Sequence, residues 1–431
     1  MNALAEHIQQ TMLVDTHEHM RPEQSYVEEG PDVLVDLFGN YVAADLISAG
    51  ATQGAVDALL DSSNADIEQR WAGVREAWQH CRYTGYGEAT RSVAREVYGM
   101  DEISVAGIEA AAELNRQMRQ PGERLRILRE RGRLDHIQTD DMQWHCAPDA
   151  SGPDFFLYDF SLRDFAVGVF DPRALAEETG IEVRDLASLD AGLESLYAKY
   201  GPLAIAVKTQ HAYDRTLLWR KRGPDEVAPV LARHLRGEAL DVAARLCLGD
   251  WCLDRGAALA AQYNLPLKIH TGYYAGNNRM PVDFIRPGHL CALLAEHLDT
   301  RFVLMHSGWP YDAELAALAK HYANVWVDMC WAWSIDPHSN VDFLRRMIHS
   351  VPLNKIFAFG GDTAWPNMAV AYAQQARRGL ARALQTEVDG GTFGEGEAMA
   401  LATKLMNANQ YGCFDLAGRR AALRAALEAG E

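Results

Sequence analysis

The hydrophobic pattern of the chain has two rhythms, and the switch between them divides the sequence. From about residue 133 onward, short continuous apolar runs alternate with longer amphipathic stretches. The runs "LDHIQT", "FAVGVF", "LAIAVK", "LPLKIH", "FVLMH", "VWVDM" and "IFAFGG" predict buried strands. Between them, "SLDAGLESLYAKYG", "GEALDVAARLCLGDWCLDRGAALAAQYN", "GHLCALLAEHLDT", "DAELAALAKHYA" and "VDFLRRMIHSV" predict helices. Strands that alternate with helices imply a parallel sheet with crossover connections. An earlier apolar run, "MLVDT", brings the strand count to eight, the number that closes a barrel.

The other rhythm fills residues 20–130. "PDVLVDLFGNYVAADLISAG", "DIEQRWAGVREAWQHCRYTGYGEATRSVAREVYG" and "SVAGIEAAAELNRQM" carry apolar residues at three- and four-residue steps, and "PGERLRILRERG" has Pro121 near a helix start. The expected class is therefore α/β: a (β/α)8 TIM-like barrel over residues 1–431, with a helical insertion at 20–130 after the first strand. A doubly wound open sheet is the alternative, but no Gly-x-Gly-x-x-Gly turn follows an early strand.

Composition narrows the partners. The formal charge of −18 argues against nucleic acid, whose binders usually carry a basic patch. No stretch approaches the roughly 18 uninterrupted apolar residues of a membrane helix, so no membrane is expected. "MNALAEHIQQTM" has neither a basic leader nor an apolar core, and does not read as a signal peptide. The seven cysteines are odd in number and contain no Cys-x-x-Cys pair, which predicts reduced, mostly buried thiols in a cytoplasmic protein. A metal here would be held by histidine and carboxylate. A homo-oligomer stays open.

The chemistry collects at the ends of the predicted strands. In "MLVDTHEHM", His17 and His19 are one residue apart, and in extended chain they point to one face where a buried strand surfaces. Lys208 ends "LAIAVK", His270 ends "LPLKIH", His306 ends "FVLMH" and Asp362 follows "IFAFGG". In an eight-stranded barrel those ends converge on one mouth, where active sites sit. Five strands presenting such groups are hard to attribute to packing. Singly, His270 and His306 could instead be satisfied by backbone, and Asp362 could cap a turn.

This order, His-x-His on the first strand, His on the fifth and sixth and Asp on the eighth, resembles the amidohydrolase superfamily of metal-dependent barrels, most nearly amidohydrolase family 2. The long helical stretch after strand one and "HTGYYAGNNRM" after strand five are similar to uronate isomerases, although this chain keeps a strand-six histidine in "LMHSGWP". The resemblance implies that His17, His19, His270 and Asp362 bind a divalent ion, with zinc the preferred identity. It implies that Asp362 also takes a proton from water, and that His306 binds a second ion or polarises a substrate carbonyl. Lys208 corresponds to a lysine that some members carboxylate to bridge two ions; contact with a substrate carboxylate, or a structural salt bridge, is preferred here.

Loops after the later strands speak to substrate. Arg215, Asn277, Asn278 and Arg279 offer donors suited to carboxylates, and Tyr273, Trp309, Trp331, Trp333 and Trp365 offer apolar walls. Any one of them could equally be a solvated arginine or a core aromatic. Together they predict a small anionic substrate. The leading expectation is a metal-dependent hydrolase of an amide, ester or lactone. The alternatives are a uronate isomerase-like aldose–ketose isomerase and a non-oxidative decarboxylase on the same barrel.

Overall fold

The computed structural model describes residues 2–276 and 279–430. Among the described residues nine short strands follow one another: β1 (Leu13–Glu18), β2 (Leu134–Thr139), β3 (Phe156–Tyr158), β4 (Phe160–Ser161), β5 (Val207–Thr209), β6 (Leu267–Ile269), β7 (Phe302–Leu304), β8 (Val325–Asp328) and β9 (Ile356–Phe357). Every pair is parallel and every strand lies beside its successor, except for a break between β3 and β4. That break is one residue long. The amide of Asp159 bonds back to Thr139 O at 2.8 Å, while the amide of Phe160 bonds forward to Ala206 O at 2.8 Å, so β3 and β4 act as one kinked strand.

Past β9, the chain meets β1. The amides of Thr16 and Asp362 bond to Phe359 O and His17 O at 3.1 and 2.8 Å, and the amide of His19 bonds to Thr363 O at 3.0 Å. The arrangement is a (β/α)8 TIM-like fold, and it brings the last strand position against the first. Parallel strands need crossovers, and helices such as Leu186–Tyr200, Val242–Gln262, Asp312–His321 and Pro337–Ser350 supply them. Their starts are set locally: Asp185 and Asp241 each accept a hydrogen bond from a first-turn amide, and Pro337 stands in the first turn of its helix.

One expected strand is corrected. "FAVGVF" does not form the third strand; Phe165–Val167 ends the short helix Arg163–Val167, and the third strand is "FLYDFS" at 156–161. A short unbroken apolar run fits a buried helical turn as well as a strand. Gly168, at φ 79°, closes that turn in the left-handed conformation that glycine adopts freely.

Helices fill the chain between β1 and β2, from Glu23–Glu29 to Glu123–Arg126. Phe38 packs between Trp71 and Trp78, with ring centroids 5.3 Å from each. Their contact with the barrel mouth is close: a Cβ on Gly85 would stand 2.0 Å from Ser334 O, and Gln375 donates to Gly85 O at 2.8 Å. The segment is thereby clamped over the loop after β8.

Inside the barrel, Lys268 is fully buried and donates to Asp159 Oδ2 at 2.8 Å and Thr16 O at 2.7 Å. It ties the kinked third strand to β1. Removing one partner of a buried pair strands the other charge. Lys268→Met is expected to lower unfolding free energy in urea by about 3–5 kcal/mol, and Lys268→Met with Asp159→Leu to recover part of it.

Candidate metal centre

The strand ends converge as their order requires. His17 Nε2 and His19 Nε2 each lie 3.2 Å from Asp362 Oδ1, and His306 Nε2 lies 4.0 Å from Asp362 Oδ2. Lys208 Nζ is 3.4 Å from His17 Nε2. All but His19 are buried. Neither Asp362 oxygen nor His306 Nε2 has a hydrogen-bond partner among the described residues, which buried polar atoms rarely tolerate.

Backbone carbonyls set the proton positions. A carbonyl only accepts, so His19 Nδ1 donates to Asp140 O at 2.6 Å and His306 Nδ1 donates to Cys330 O at 3.1 Å. When these rings are neutral, each Nε2 is left with a lone pair turned toward the Asp362 carboxylate. Burial pushes the His17 and His270 imidazoles well below their ordinary value and brings His306 down to about 4. Burial works to raise the Asp362 carboxyl, but His17 and His19 outweigh it and hold it well below the usual carboxylate range. For His19 burial works downward, and Asp362 outweighs it to raise the imidazole.

An imidazole Nε2 that faces Asp362 either carries a proton to it, as the raised His19 allows, or presents a lone pair that a shared cation reconciles with the carboxylate. Two ligands about 2.0–2.1 Å from a tetrahedral zinc are roughly 3.3 Å apart, close to the 3.2 Å between Asp362 Oδ1 and each imidazole. The residues present therefore fit a divalent ion.

Asp140, just past β2, was not among the sequence candidates. One ligand atom each from His17, His19 and Asp140 lies within 4.8 Å of the other two. Its carboxylate accepts from the Met142 amide at 2.8 Å and from Gln210 at 3.1 Å, and is 4.0 Å from Lys208 Nζ. An acid directly after "LDHIQT" was the available signal.

His270 reaches the cluster less directly. Its ring centroid is 4.2 Å from that of His306, but Nε2 contacts Tyr273 O at 3.1 Å and Nδ1 contacts the Tyr213 hydroxyl at 3.4 Å. Trp331 stands 5.6 Å from His306 and 5.8 Å from Tyr273, and Trp309 stands 5.6 Å from Tyr273, ring to ring. Arg279 is exposed and lines a cavity of about 680 Å³ with Tyr273 and Met280. Asn277 and Asn278 lie outside the described residues.

Other candidates stay away from the cluster. Arg215 is buried and spent on structure, donating to Asp250 at 2.6 Å and to Ala166 O and Leu218 O at 3.1 Å each. Trp333 is a core residue whose indole donates to Ala358 O at 2.8 Å. Trp365 is buried with the Arg21 guanidinium 5.5 Å from its ring.

The backbone at the mouth is unusual. His306, Ser307, Trp331 and Asp362 have φ of 62°, 53°, 59° and 57°, a left-handed region uncommon for side-chain-bearing residues and concentrated at functional sites.

Residues 223–392 match the family model described as "Amidohydrolase". This supports an amidohydrolase-superfamily assignment. The fold is similar across the chain to a uronate isomerase from Thermotoga maritima (TM-score 0.77, 14% identity, 95% of this chain and 96% of that one). It is similar to a glucuronate isomerase from Caulobacter crescentus (0.76, 16%, 96% and 93%) and to a putative metal-dependent hydrolase from Lactobacillus casei (0.65, 14%, 98% and 100%). A curated relative, "Protein fluG" of Emericella nidulans, is 28% identical over 39% of this chain, and the match spans only 20% of that protein's length. The superfamily implies a divalent metal, and the His17, His19 and acid cluster is where this chain could hold one. Among the described residues, no helix is long and apolar enough to cross a membrane.

Replacing His17 and His19 together by Ala is expected to abolish tight divalent-ion binding while far-ultraviolet circular dichroism keeps the helical signal. Elemental analysis of the purified variant checks this. Normal metal content would remove both residues from the centre. Asp362→Ala is expected to cost more metal than Asp140→Ala, because Asp140 is already held by an amide and Gln210.

Proposed function

We propose that this chain is a metal-dependent hydrolase acting on an amide, ester or lactone of a small anionic molecule. One observation carries the reading: Asp362 is a buried carboxylate facing His17, His19 and His306, with Oδ1 3.2 Å from two imidazole nitrogens. His17, His19 and Asp362 would hold the ion, with Asp140 or His270 completing its shell and zinc the best match to these donors. Such an ion makes water nucleophilic at neutral pH and polarises a carbonyl.

Asp362 takes the proton as the water oxygen adds to the substrate carbonyl carbon. When the carbon–nitrogen or carbon–oxygen bond breaks, Asp362 returns that proton to the leaving amine or alcohol. His306 carries its proton on Nδ1, so its free Nε2 suits a ligand or a proton acceptor, not a donor to the substrate carbonyl. Lys208, buried beside His17, is read as a substrate or structural contact without a carbamate. Arg279 at the rim is read as the anchor for the substrate's negative charge.

A second reading has its own support, because the isomerase likenesses extend over nearly the whole chain. In aldose–ketose isomerisation of a uronic acid, the same carboxylate would move a proton between adjacent carbons and no water would be consumed. Non-oxidative decarboxylation has no comparable observation in its favour.

The fate of solvent oxygen separates the two. Sugar acids, lactones and N-acyl compounds are screened with metal-reconstituted protein, and turnover of the substrate found is repeated in oxygen-18 water. Hydrolysis labels the new carboxylate or hydroxyl. A product of unchanged formula, labelled no faster than spontaneous carbonyl hydration, would establish isomerisation instead. With the same substrate, Arg279→Met is expected to raise KM about tenfold at similar kcat, since it removes charge pairing common to ground and transition states. An unchanged KM would take Arg279 out of the site.

A further inference from the structure

Three buried polar groups beside the metal centre have no use in the fold. The Tyr86 hydroxyl, the Tyr372 hydroxyl and the Trp331 indole N–H are all without a hydrogen-bond partner among the described residues, in side chains at most 4% exposed. A buried donor left unpaired costs stability, so each calls for an explanation such as water or a ligand. They come from different parts of the chain: Tyr86 and Trp331 are in ring contact, and Tyr372 lies near enough to Tyr86 and Asp362 to interact with both electrostatically. Trp331 follows β8, Tyr86 stands on the helix Gly85–Glu96, and Tyr372 on the helix Pro366–Asp389. Tyr86 stacks on Trp331 with centroids 5.8 Å apart and planes 15° apart, and Trp331 stands edge-on to His306 at 5.6 Å. The contacts that hold them there are unrelated to the three polar groups: Gln375, one turn from Tyr372, donates to Gly85 O, next to Tyr86, and accepts from Ser334 at 2.8 Å.

We propose that Tyr86, Tyr372 and Trp331 form a specificity pocket beside Asp362 that binds an uncharged, oxygen-rich portion of the substrate. Phenol and indole donors are neutral, and burial pushes both phenols upward, which keeps them so. None of the three has an ion-pair partner among the described residues. Neutral donors with an aromatic face suit hydroxyl, ether or amide oxygens on a carbon frame, and a carboxylate would gain more at Arg279. This inference rests on the proposed small-molecule site at Asp362 and names the part of the ligand that the cluster itself does not read.

Binding of two six-carbon monocarboxylates, D-gluconate and hexanoate, tests it by calorimetry on protein of assayed zinc content. They share charge and chain length, and differ in their hydroxyls. Wild type is expected to bind gluconate at least tenfold more tightly, and Tyr86→Phe and Tyr372→Phe are each expected to reduce that preference several-fold, the effect of losing one hydrogen bond. Because neither hydroxyl bonds another protein group among the described residues, both variants should keep or raise the wild-type Tm. A lowered Tm with an unchanged preference would make the hydroxyls structural and overturn the pocket. So would equal binding of the two acids by wild type, including binding of neither. Protein that holds no zinc yet still prefers gluconate keeps the pocket and defeats the metal reading; zinc-loaded protein without the preference does the reverse.

Discussion

Asp362 is a buried carboxylate held against the Nε2 atoms of His17, His19 and His306, and the mouth of the barrel is organised around that contact. Taking such a charge out of water costs several kcal/mol even after relaxation. A monovalent partner about 4 Å away returns roughly 4 kcal/mol at an effective dielectric near 20, which barely offsets the cost. A divalent ion contributes about twice that and draws in the nitrogen lone pairs as well. The cluster is thus poorly matched to a simple salt bridge and well matched to a metal. The Cys330 and Asp140 carbonyls reinforce the match, since each fixes an imidazole with its Nε2 toward the acid.

Holding Asp362 there demands a costly backbone, and β1 supplies the restraint. The Gly361 amide donates to Asp15 Oδ1 at 3.1 Å, the Asp362 amide to His17 O at 2.8 Å, and the Thr363 amide to Glu18 Oε2 at 2.6 Å. Three successive amides are thereby tied to β1, which carries His17 and leads directly into His19, and this over-determines the left-handed φ at Asp362. A Cβ on Gly361 would stand 2.0 Å from Glu18 Oε1, so a larger residue there would displace the Glu18 carboxylate that holds the Thr363 amide. Asp15 and Glu18 pay for this by burial, which raises Asp15 to about 7 and Glu18 well above its ordinary value.

Much of this was legible because barrel strands place chemistry at predictable positions. His17, His19, Lys208, His306 and Asp362 stood at the ends of apolar runs, and parallel order alone brings such ends together. The third strand was misread because "FAVGVF" is more apolar than "FLYDFS", where Asp159 breaks the run to pair with Lys268 inside the barrel. Apolar continuity is a poor guide where the barrel interior itself holds an ion pair. Arg215 was misleading for the opposite reason: a guanidinium in a loop after a strand suggests a ligand, but here it caps carbonyls and meets Asp250. Nothing in sequence separates those roles, because the partner lies on a distant helix. Tyr86 and Tyr372 gave no signal for the same reason, each reading as one more apolar position on a helix.

Fold and ligand shell leave the choice of reaction open, since neighbours named as isomerases and as a putative metal-dependent hydrolase share this architecture. The discriminating variable is where the substrate's carbon sits relative to Asp362. Hydrolysis needs a trigonal carbon within reach of a water that Asp362 can deprotonate. Isomerisation needs a carbon-bound proton held against a base with the neighbouring carbonyl fixed beside it. A shift of about 1 Å in the substrate can cost either reaction roughly a hundredfold. Side chains at the barrel strand ends are too constrained to make that shift, with their backbone pinned between neighbouring strands. The helices after β1 also reach the mouth, through Gly85, Tyr86 and Tyr41, whose ring lies 4.2 Å from Trp331. Under the proposed function, those helices and the strand ends together would seat the substrate over His17, His19 and Asp362, and that seating decides between the two reactions.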